Sequence, residues 1–340
     1  MDIKAKPKLQ RPTLQDIADK VGVTKMTVSR FLRDPNTVAK STQEKIRLCI
    51  NELGYIHNRT PAMLSKASSK TIGVLLPSLS NQVFAQFTQG VESITDEYGF
   101  DTLIAHYSYD KNEEERKIEV MLSYQVDGLI LTSSSHTKRT LKMLNTVKIP
   151  VVEAMEIPKK PIDMSVGLNH ELAAYTIVRK MIDKGYRNIA YLGARLDTRT
   201  QLRMQGYDRA LIEANLSPLH VLTEEHSSYT LGKQLFNEAI TKNPQLEGVF
   251  CTNDDIAVGA ILACHDAHIS IPSEMAIVGY NALDIGYAIS PTLTSIKVPL
   301  FEIGKISADM ILKSIQGHPL SSKSIDFGFE IKQGESFLPS

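Results

Sequence analysis

Residues 13–32 read TLQDIADKVGVTKMTVSRFL, and this stretch predicts two short helices joined by a tight turn. Thr13 and Thr24 are good N-caps, because their side-chain oxygens can accept hydrogen bonds from backbone N–H groups of the first turn. Gly22 suits the left-handed backbone with which many helices end. Apolar residues recur at helical spacing and would face a common core; they are Leu14, Ile17, Ala18, Val21, Val28, Phe31 and Leu32.

The outer face of the second predicted helix is mostly polar. It carries Lys25, Met26, Thr27, Ser29 and Arg30. In a helix-turn-helix, such a second helix lies in the DNA major groove with its N-terminal residues at the base edges. A plain helical hairpin with a solvated polar face is the alternative, and the charge distribution bears on that choice.

Positive charge is concentrated at the start of the chain. The whole chain is neutral, with 38 basic and 38 acidic side chains, but residues 1–70 hold 14 Lys and Arg against 6 Asp and Glu. A basic head on an acidic body is expected of a DNA-contacting module attached to a larger domain. A charged solubility tail would lack the apolar periodicity between Leu14 and Leu53.

Composition limits the class of protein. With 340 residues, 42% of them hydrophobic, the chain can bury a large core and is long enough for two or three domains. No apolar run has the length of a membrane span, and the N-terminus does not resemble a signal peptide. The three cysteines, Cys49, Cys251 and Cys264, fit a reducing compartment. We therefore expect a cytoplasmic protein.

A third helix and a linker follow the first two helices. Ser41 or Thr42 would cap the third helix, and Gly54 would end it. Residues 55–70 are polar and rich in serine, and are the best linker candidate in the chain. A very short helix carrying Leu64 could start within this linker, but it is too short to be stable without a partner.

Apolar runs alternate with helical patterns from Thr71 onward, which predicts a doubly wound α/β architecture. The pattern restarts near residue 163 and so indicates two similar lobes, with small ligands binding where strand ends of both lobes meet. Predicted strands lie near 72–76, 102–105, 128–131, from 150, and near 164–168, 189–193, 219–222, 248–252 and 275–280. Predicted helices lie near 83–98, 111–124, 137–147, 171–184, 200–214, 230–242, 255–267 and 300–315, and two short strands near 324–332.

The chain resembles the lactose-repressor/galactose-repressor family over nearly its whole length. The match rests on TLQDIA at 13–18, GVTKMTVSR at 22–30, LGYI at 53–56 with Asn58 and Arg59, DGLI at 127–130, Asn253-Asp254 with AVG at 257–259, and VGY at 278–280. Within the family it is similar to gluconate and idonate regulators, through NQVF at 81–84, His136-Thr137 with Arg139-Thr140, PVVE at 150–153 and CTNDD at 251–255.

The resemblance implies three parts. They are a helix-turn-helix headpiece at 1–57, a hinge helix and linker at 58–69, and an effector-binding and dimerisation core of periplasmic-binding-protein type at 70–340. The N-lobe of the core would span about 70–168 plus 298–325, and the C-lobe about 169–297 plus 326–335.

The resemblance also implies DNA contacts. Lys25 and Met26 match positions that read major-groove bases, and Arg30 could reach a guanine. Threonine and serine hydroxyls would bond phosphates, and the hinge leucine would wedge into the minor groove. The full predicted set is Thr13, Thr24, Lys25, Met26, Thr27, Ser29, Arg30, Tyr55, Asn58, Arg59 and Leu64. His57 departs from the family, whose members usually have proline there.

The candidate effector residues are Ser78, Asn81, Phe84, Thr132, Ser133, Glu153, Arg199, Arg203, Asn253 and Asn281. In the family, the position of Arg203 binds a sugar hydroxyl or an acid group, and Asn281 stands where many sugar-binding relatives have aspartate. Asparagine removes a charge that would repel an anion. Arg199 and Arg203, four residues apart on one helix face, favour a carboxylate- or phosphate-bearing ligand. Taken alone, an arginine at the start of a helix is more often solvent-exposed than ligating.

Other features have simpler interpretations. Cys264, His265 and His268 lie on one predicted helix without a second ligand pair, so we expect no metal. Glu113-Glu-Glu-Arg116 fits the solvated start of a helix, and Tyr107 and Tyr109 fit the rim of a cleft or the surface. The sequence has no dinucleotide fingerprint, phosphate-binding Walker loop or nucleophile elbow.

We therefore expect a transcriptional regulator without enzyme activity or cofactor. It would bind operator DNA as a homodimer, with a tetramer left open, and would respond to a small sugar acid. A neutral or phosphorylated sugar is the alternative effector. The rival classes are a sugar-binding protein or enzyme that shares the core, and a constitutive DNA-binding protein whose core only dimerises.

Overall fold

The computed structural model describes residues 11–57 and 68–337. Contacts divide the chain into two units, one ending at Ala67 and the other beginning at Ser68. The Ser68 hydroxyl donates to Asp127 Oδ2 at 2.8 Å, and the Ser69 backbone N–H donates to Asp127 Oδ1 at 3.1 Å. The second unit, here called the core, thus begins two residues earlier than predicted. The hinge candidates Asn58, Arg59 and Leu64 lie outside the described residues.

The first unit, here called the headpiece, contains helices α1 (Leu14–Val21), α2 (Lys25–Arg33) and α3 (Lys40–Leu53), with a short 3-10 helix at Pro35–Thr37. Thr13 caps α1 and forms a capping box with Asp16. Gly22 ends α1 in the left-handed conformation with φ 76°, and Thr24 caps α2. These turn and cap residues agree with the helix-turn-helix prediction.

The start of α3 differs from the expectation. The helix begins at Lys40, with Ala39 at the N-cap and no side-chain cap bond. The Ala39 carbonyl accepts from the Thr42 N–H at 2.9 Å, so Ser41 and Thr42 already lie in the first turn. The 3-10 helix ends at Thr37, shortly before α3 begins. The first turn of α3 is therefore held by the backbone carbonyl of Ala39 and not by a capping side chain.

The core begins with β1 (Thr71–Leu76), α4 (Val83–Glu97), β2 (Asp101–His106), α5 (Lys111–Ser123), β3 (Gly128–Leu131), α6 (Lys138–Val147), β4 (Val151–Glu156) and β5 (Met164–Leu168). It continues with α7 (His170–Asp183), β6 (Ile189–Ala194), α8 (Thr198–Glu213), β7 (Leu219–Thr223), α9 (Tyr229–Lys242), β8 (Gly248–Cys251), α10 (Asp254–Asp266) and β9 (Ala276–Asn281). It ends with α11 (Ile285–Ala288), β10 (Thr294–Lys297), α12 (Leu300–Ile315), β11 (Ser324–Asp326) and β12 (Glu330–Lys332).

Two sheets organise the described part of the core into an N-lobe and a C-lobe. The N-lobe sheet has the order β11-β5-β4-β3-β1-β2, and the C-lobe sheet has the order β12-β10-β9-β8-β6-β7. Pairs are parallel except β10 with β12, as the doubly wound interpretation requires. The chain crosses between the sheets after β5, after β10 and after β11.

Strand β11 runs to Asp326 in the N-lobe sheet, so the last crossing lies after 326, next to the approximate boundary that was predicted. Strand β10 was not predicted, because Thr294-Ser-Ile-Lys297 has one apolar residue and no strong strand pattern. Its first three residues are nevertheless buried, since β9 and β12 flank the strand.

Helix pairs close each lobe. In the N-lobe, α4 crosses α12 so closely that a Cβ on Gly90 would lie 2.1 Å from the Phe301 carbonyl oxygen, and one on Gly304 would lie 2.0 Å from that of Phe87. In the C-lobe, α7 packs on α8. None of the described helices combines the length and the apolar character that a membrane crossing requires.

Candidate functional site

Helix α2 presents the face that the sequence assigned to DNA. Val28 and Phe31 are buried in the headpiece core, whereas Lys25, Met26 and Arg30 are exposed. The Met26 side chain, though apolar, is 65% exposed. The cap geometry places Lys25 and Met26 in the first turn of α2, the part of a recognition helix that meets base edges.

Tyr55 has a different position. Tyr55 is 9% exposed and packs in the headpiece cluster that contains Ile17 and Ile46. Its backbone N–H donates to the Ile50 carbonyl at 3.0 Å, just after the left-handed end of α3. The structure therefore gives Tyr55 a packing role in the headpiece, and its DNA contact stays a prediction.

Three neighbouring cavities lie where residues of the two lobes meet. The Glu156 cavity has a volume of about 280 Å³ and the Arg203 cavity about 30 Å³, and both are lined by Tyr109, Arg195, Asp197 and Arg199. The Ser78 cavity, of about 350 Å³, is lined by Ser78 and Asn81. Nine of the ten predicted effector residues line these cavities; they are Ser78, Asn81, Phe84, Thr132, Ser133, Arg199, Arg203, Asn253 and Asn281.

Arg199 joins the two lobes. It lies at the start of α8 in the C-lobe, and its Nη1 donates to the Thr132 carbonyl of the N-lobe at 3.0 Å. Its Nη2 lies 3.6 Å from Asp197 Oδ2, and its guanidinium carbon lies 5.7 Å from the ring centroid of Phe84. Burial would lower the pKa of Arg199, but Asp197 and Glu156 outweigh burial and raise it. This residue is therefore a buried cation at the lobe boundary.

Arg203 lies one turn further along α8 and is also buried. Its guanidinium carbon lies 3.7 Å from the ring centroid of Tyr280, and its Nη1 donates to the Thr252 carbonyl at 2.5 Å. Its Nε is buried without a hydrogen-bond partner among the described residues. An unsatisfied buried N–H of a cation is a costly arrangement that an anionic ligand would relieve.

His170 supports this region as a neutral side chain. Burial lowers its pKa well below the usual value, and the charges of Arg203 and Arg199 lower it further. Nε2 lies 3.0 Å from the Met155 carbonyl and Nδ1 lies 2.7 Å from the Tyr280 hydroxyl. Because a carbonyl only accepts, Nε2 carries the proton and Nδ1 accepts from Tyr280. His170 thus links the lobes without adding charge.

The backbone around the cleft adopts unusual conformations. Non-glycine residues with positive φ include Ser108, Tyr109, Met155, Arg195, Leu196 and Asn281, and all of them are at or just beyond strand ends near the cavities. Asn281 has a φ of 106°. Such residues persist where the surrounding structure holds them, and they concentrate at ligand sites.

Asn253 and Thr132 line the cleft and also form hydrogen bonds within the protein. Asn253 caps α10 through its Oδ1, which accepts from the Ile256 N–H at 3.1 Å, and its Nδ2 donates to Ser227 Oγ at 2.8 Å. The Thr132 hydroxyl donates to the Leu75 carbonyl at 2.8 Å. A ligand hydroxyl at Asn253 would have to share or replace the Ser227 contact.

Glu153 does not line the three cavities and belongs to a buried cluster in the N-lobe. Its Oε1 lies 3.6 Å from His136 Nε2, and its Oε2 accepts from the Ile162 N–H at 2.5 Å. His136 Nδ1 in turn donates to Glu114 Oε2 at 2.9 Å. The predicted effector role of Glu153 is corrected to one in this Glu–His–Glu cluster, since β4 continues beyond it and ends at Glu156.

Three acidic residues of the cleft were missed or misjudged. Glu114 was expected on the solvated start of a helix, yet it is 1% exposed and lines the Glu156 cavity. Glu156 is 3% exposed, and its Oε1 accepts from the Ser134 N–H at 2.9 Å. Asp197 caps α8 and lines the same cavity. Tyr107, expected at the rim or surface, is also buried here, and burial raises its pKa.

The free energy of unfolding of the core is expected to fall by about 2 kcal/mol between pH 7 and pH 9 because of His136. Burial alone would lower the pKa of His136, but hydrogen bonds and charges of Glu114 and Glu153 outweigh it and raise the pKa to about 9. A raised pKa stabilises the fold fully below the usual value of 6.5 and loses that contribution as the pH rises through 9.

Urea unfolding of the wild type and of His136→Gln at pH 7, 8 and 9 measures this contribution. Burial raises the pKa of Asp254 to about 7, so most of its effect falls below pH 7, and the remainder above pH 7 is the same in both proteins. His170, with its lowered pKa, likewise acts below pH 6.5. An equal loss of stability in both proteins between pH 7 and pH 9 would contradict the assignment to His136.

No group of three or more His, Cys, Asp or Glu side chains within 11–57 and 68–337 could hold a metal ion. In α10, Cys264 is buried while His265 is exposed, so the two side chains point to different surroundings.

Two family models match the chain. The model described as "Bacterial regulatory proteins, lacI family" matches residues 13–58, and the one described as "Periplasmic binding proteins and sugar binding domain of LacI family" matches residues 69–331. The chain belongs to the lacI family.

Relatives of this lacI-family protein match it from end to end. The HTH-type transcriptional regulator GntR of Escherichia coli K12 is 48% identical over 97% of this chain and 99% of its own length. The HTH-type transcriptional regulator IdnR of the same organism is 45% identical over 96% of this chain and 98% of its own length. This lacI-family protein is therefore a DNA-binding transcriptional regulator and not an enzyme.

A solved structure supports the architecture. The crystal structure of a lacI-family transcriptional regulator from Silicibacter pomeroyi is 27% identical, with a TM-score of 0.91, and covers 96% of this chain and 99% of its own. The predicted fold, a helix-turn-helix unit followed by a two-sheet α/β core, is confirmed.

Proposed function

We propose that this lacI-family regulator represses sugar-acid catabolic genes of the gluconate and idonate type, and that a small anionic sugar releases it from its operator or tightens it there. The names GntR and IdnR and the chemistry of the cleft support this proposal. We further propose that it acts in the cytoplasm and binds its operator as a homodimer. The observation that carries the effector proposal is the buried Arg203 with its unpartnered Nε.

The Arg203 cavity suits a carboxylate. Arg195, Arg199 and Arg203 bring three guanidinium groups to it against the one carboxylate of Asp197, and His170 is neutral there. Asn281 lines the same cavity and offers an amide without negative charge. A cavity of about 30 Å³ has room for a small group rather than for a whole sugar. These features together favour the acid end of a sugar acid over a neutral hydroxyl.

The cleft also suits a two-state response. Arg199 bonds Thr132 and His170 bonds Met155 across the lobes, so a ligand that competes for these groups changes how the lobes are held. Such a ligand shifts the equilibrium between core conformations by the difference in its affinity for them. The resulting change in operator affinity is the coupling free energy between the two sites.

Isothermal calorimetry tests the effector proposal. Gluconate, idonate and a keto derivative should bind about 10- to 100-fold more tightly than glucose, because a charge-assisted hydrogen bond contributes about 1.5–3 kcal/mol. The affinity for phosphorylated sugars is measured in a separate set of titrations. If glucose binds as tightly as gluconate, the proposal of an anionic effector fails. If no sugar or sugar acid binds, the core acts without one.

For the headpiece, we propose that Lys25 reads a base, with Met26 and Arg30 beside it, and that Thr13, Thr24, Thr27 and Ser29 contact phosphates. Lysine can donate to guanine O6 and N7, and methionine packs on apolar edges such as the thymine methyl group. The Thr24 and Thr27 hydroxyls lie 2.9 Å apart, so each can orient the other toward a phosphate.

Lys25→Ala is expected to relax sequence preference at one position in each half-site, at about 1–3 kcal/mol per half-site. Thr27→Ala is expected to weaken binding to all sequences alike, because a phosphate contact carries no base information. Selection from a randomised operator library gives the preference of each variant. The same preference for Lys25→Ala as for the wild type would show that Lys25 is not a base reader.

A further inference from the structure

Two carboxylates that line the Glu156 cavity are held in the same way. Glu114 and Glu156 are 1% and 3% exposed, and each has one oxygen held by a donor of the N-lobe. The donor is the His136 ring for Glu114 and the Ser134 backbone N–H for Glu156. In each residue the other oxygen, Glu114 Oε1 and Glu156 Oε2, is buried without a hydrogen-bond partner among the described residues.

Unpartnered buried carboxylate oxygens need donors, since leaving them unsatisfied costs free energy. The donor that this site suits is a hydroxyl group. A divalent cation would need more ligands than two carboxylates, and the described residues provide no group of three or more His, Cys, Asp or Glu side chains for one. The volume of about 280 Å³ accommodates several ligand atoms.

The two cavities offer different chemical groups to the two ends of one ligand. Arg203 lines only the small cavity, Glu114 and Glu156 line only the larger one, and Arg199 lines both. The larger cavity therefore offers the carboxylates of Glu114 and Glu156 beside the cations Lys111 and Arg195, whereas Arg203 stands only at the other end. A sugar acid has the matching order of groups, with a carboxylate at one end and hydroxyls along the chain.

We propose that Glu114 and Glu156 form a subsite for the hydroxyl-bearing tail of an open-chain sugar acid, with its carboxylate at Arg203, and that this subsite selects for chain length. This proposal depends on the proposed function in one respect only, namely that the ligand group bound at Arg203 is a carboxylate. His136 is a positioning residue, because it holds Glu114 Oε2 and leaves Oε1 for the ligand.

Calorimetry with three ligands tests the subsite. They are gluconate, a four-carbon aldonic acid that keeps the carboxylate and shortens the tail, and glucitol, which has the six-carbon polyol chain and no carboxylate. Wild-type protein should bind gluconate more tightly than the four-carbon acid. In Glu156→Gln and in Glu114→Gln, gluconate affinity should fall about 10- to 100-fold, while affinity for the four-carbon acid stays within about twofold.

The matched control is Glu113→Gln, which changes an exposed residue of α5 that pairs with Arg116. It should leave all three affinities unchanged. Glutamine keeps the volume of glutamate and its acceptor oxygen, so the bonds to Ser134 and His136 can persist. A thermal unfolding scan of each variant checks that the core is folded.

Unchanged gluconate affinity in both variants would overturn the subsite, as would a requirement for added calcium or magnesium in wild-type binding. If glucitol binds the wild type and not Glu156→Gln while gluconate fails to bind, the subsite holds and the anionic effector proposal fails. If gluconate binds through Arg203 but the glutamine variants discriminate chain length as the wild type does, only the subsite fails.

Discussion

Arg203→Met is expected to abolish the effector response and to leave operator binding intact. Arg203 is 7% exposed, and methionine would fill much of its space without the charge. Loss of one member of a buried charge pair costs about 2–5 kcal/mol, so gluconate should bind about 30- to 4,000-fold more weakly. Operator affinity should persist because the headpiece is a separate unit ending at Ala67.

The control for this variant lies on the same helix. Arg209 pairs with Glu171 at 2.7 Å, and its side chain is 41% exposed. Arg209→Met should therefore change gluconate affinity little. Calorimetry measures effector binding, and fluorescence anisotropy with labelled operator measures DNA binding with and without gluconate. Wild-type gluconate affinity in Arg203→Met would rule out Arg203 as the anion partner.

Most elements of the fold could be predicted because their signals are local. Buried parallel strands form short apolar runs, and helices repeat apolar residues every three or four positions. The N-caps of α1 and α2 have suitable side chains and were predicted correctly. Strand β10 and the start of α3 were not predicted. The position of β10 depends on the strands that flank it, and the start of α3 depends on a backbone carbonyl, and neither has a characteristic local sequence.

The cleft was predicted less completely because its chemistry is assembled over long distances in the chain. Arg199 and Arg203 could be found, since they share one helix face. Glu114 looked solvated within an acidic run, and only the distant His136 explains its burial. Glu153 was chosen as the end of β4, but the strand continues to Glu156. Carboxyl ends of strands carry ligand groups, so the predicted strand length pointed to Glu153, whereas the glutamate at the end of β4 that lines the cavity is Glu156.

Ile46→Ala is expected to abolish specific operator binding and to leave effector binding unchanged. Ile46 is completely buried in the headpiece core against a cluster that includes Ile17 and Val28. Truncating a buried isoleucine to alanine costs about 2–5 kcal/mol. A core as small as that of the headpiece supplies only about 3–5 kcal/mol, so the variant headpiece should be largely unfolded at 37 °C.

Leu48→Ala isolates the role of burial in this prediction, because Leu48 lies on the same helix and is 65% exposed. It should keep operator affinity close to that of the wild type. Operator binding by fluorescence anisotropy and gluconate binding by calorimetry, measured on the full chain, separate the two units. If Ile46→Ala bound operator as Leu48→Ala does, the headpiece would have more stability than its core can provide. If Ile46→Ala lost gluconate binding as well, the headpiece and the core would not unfold independently. Each unit would then depend on the other for part of its free energy of unfolding.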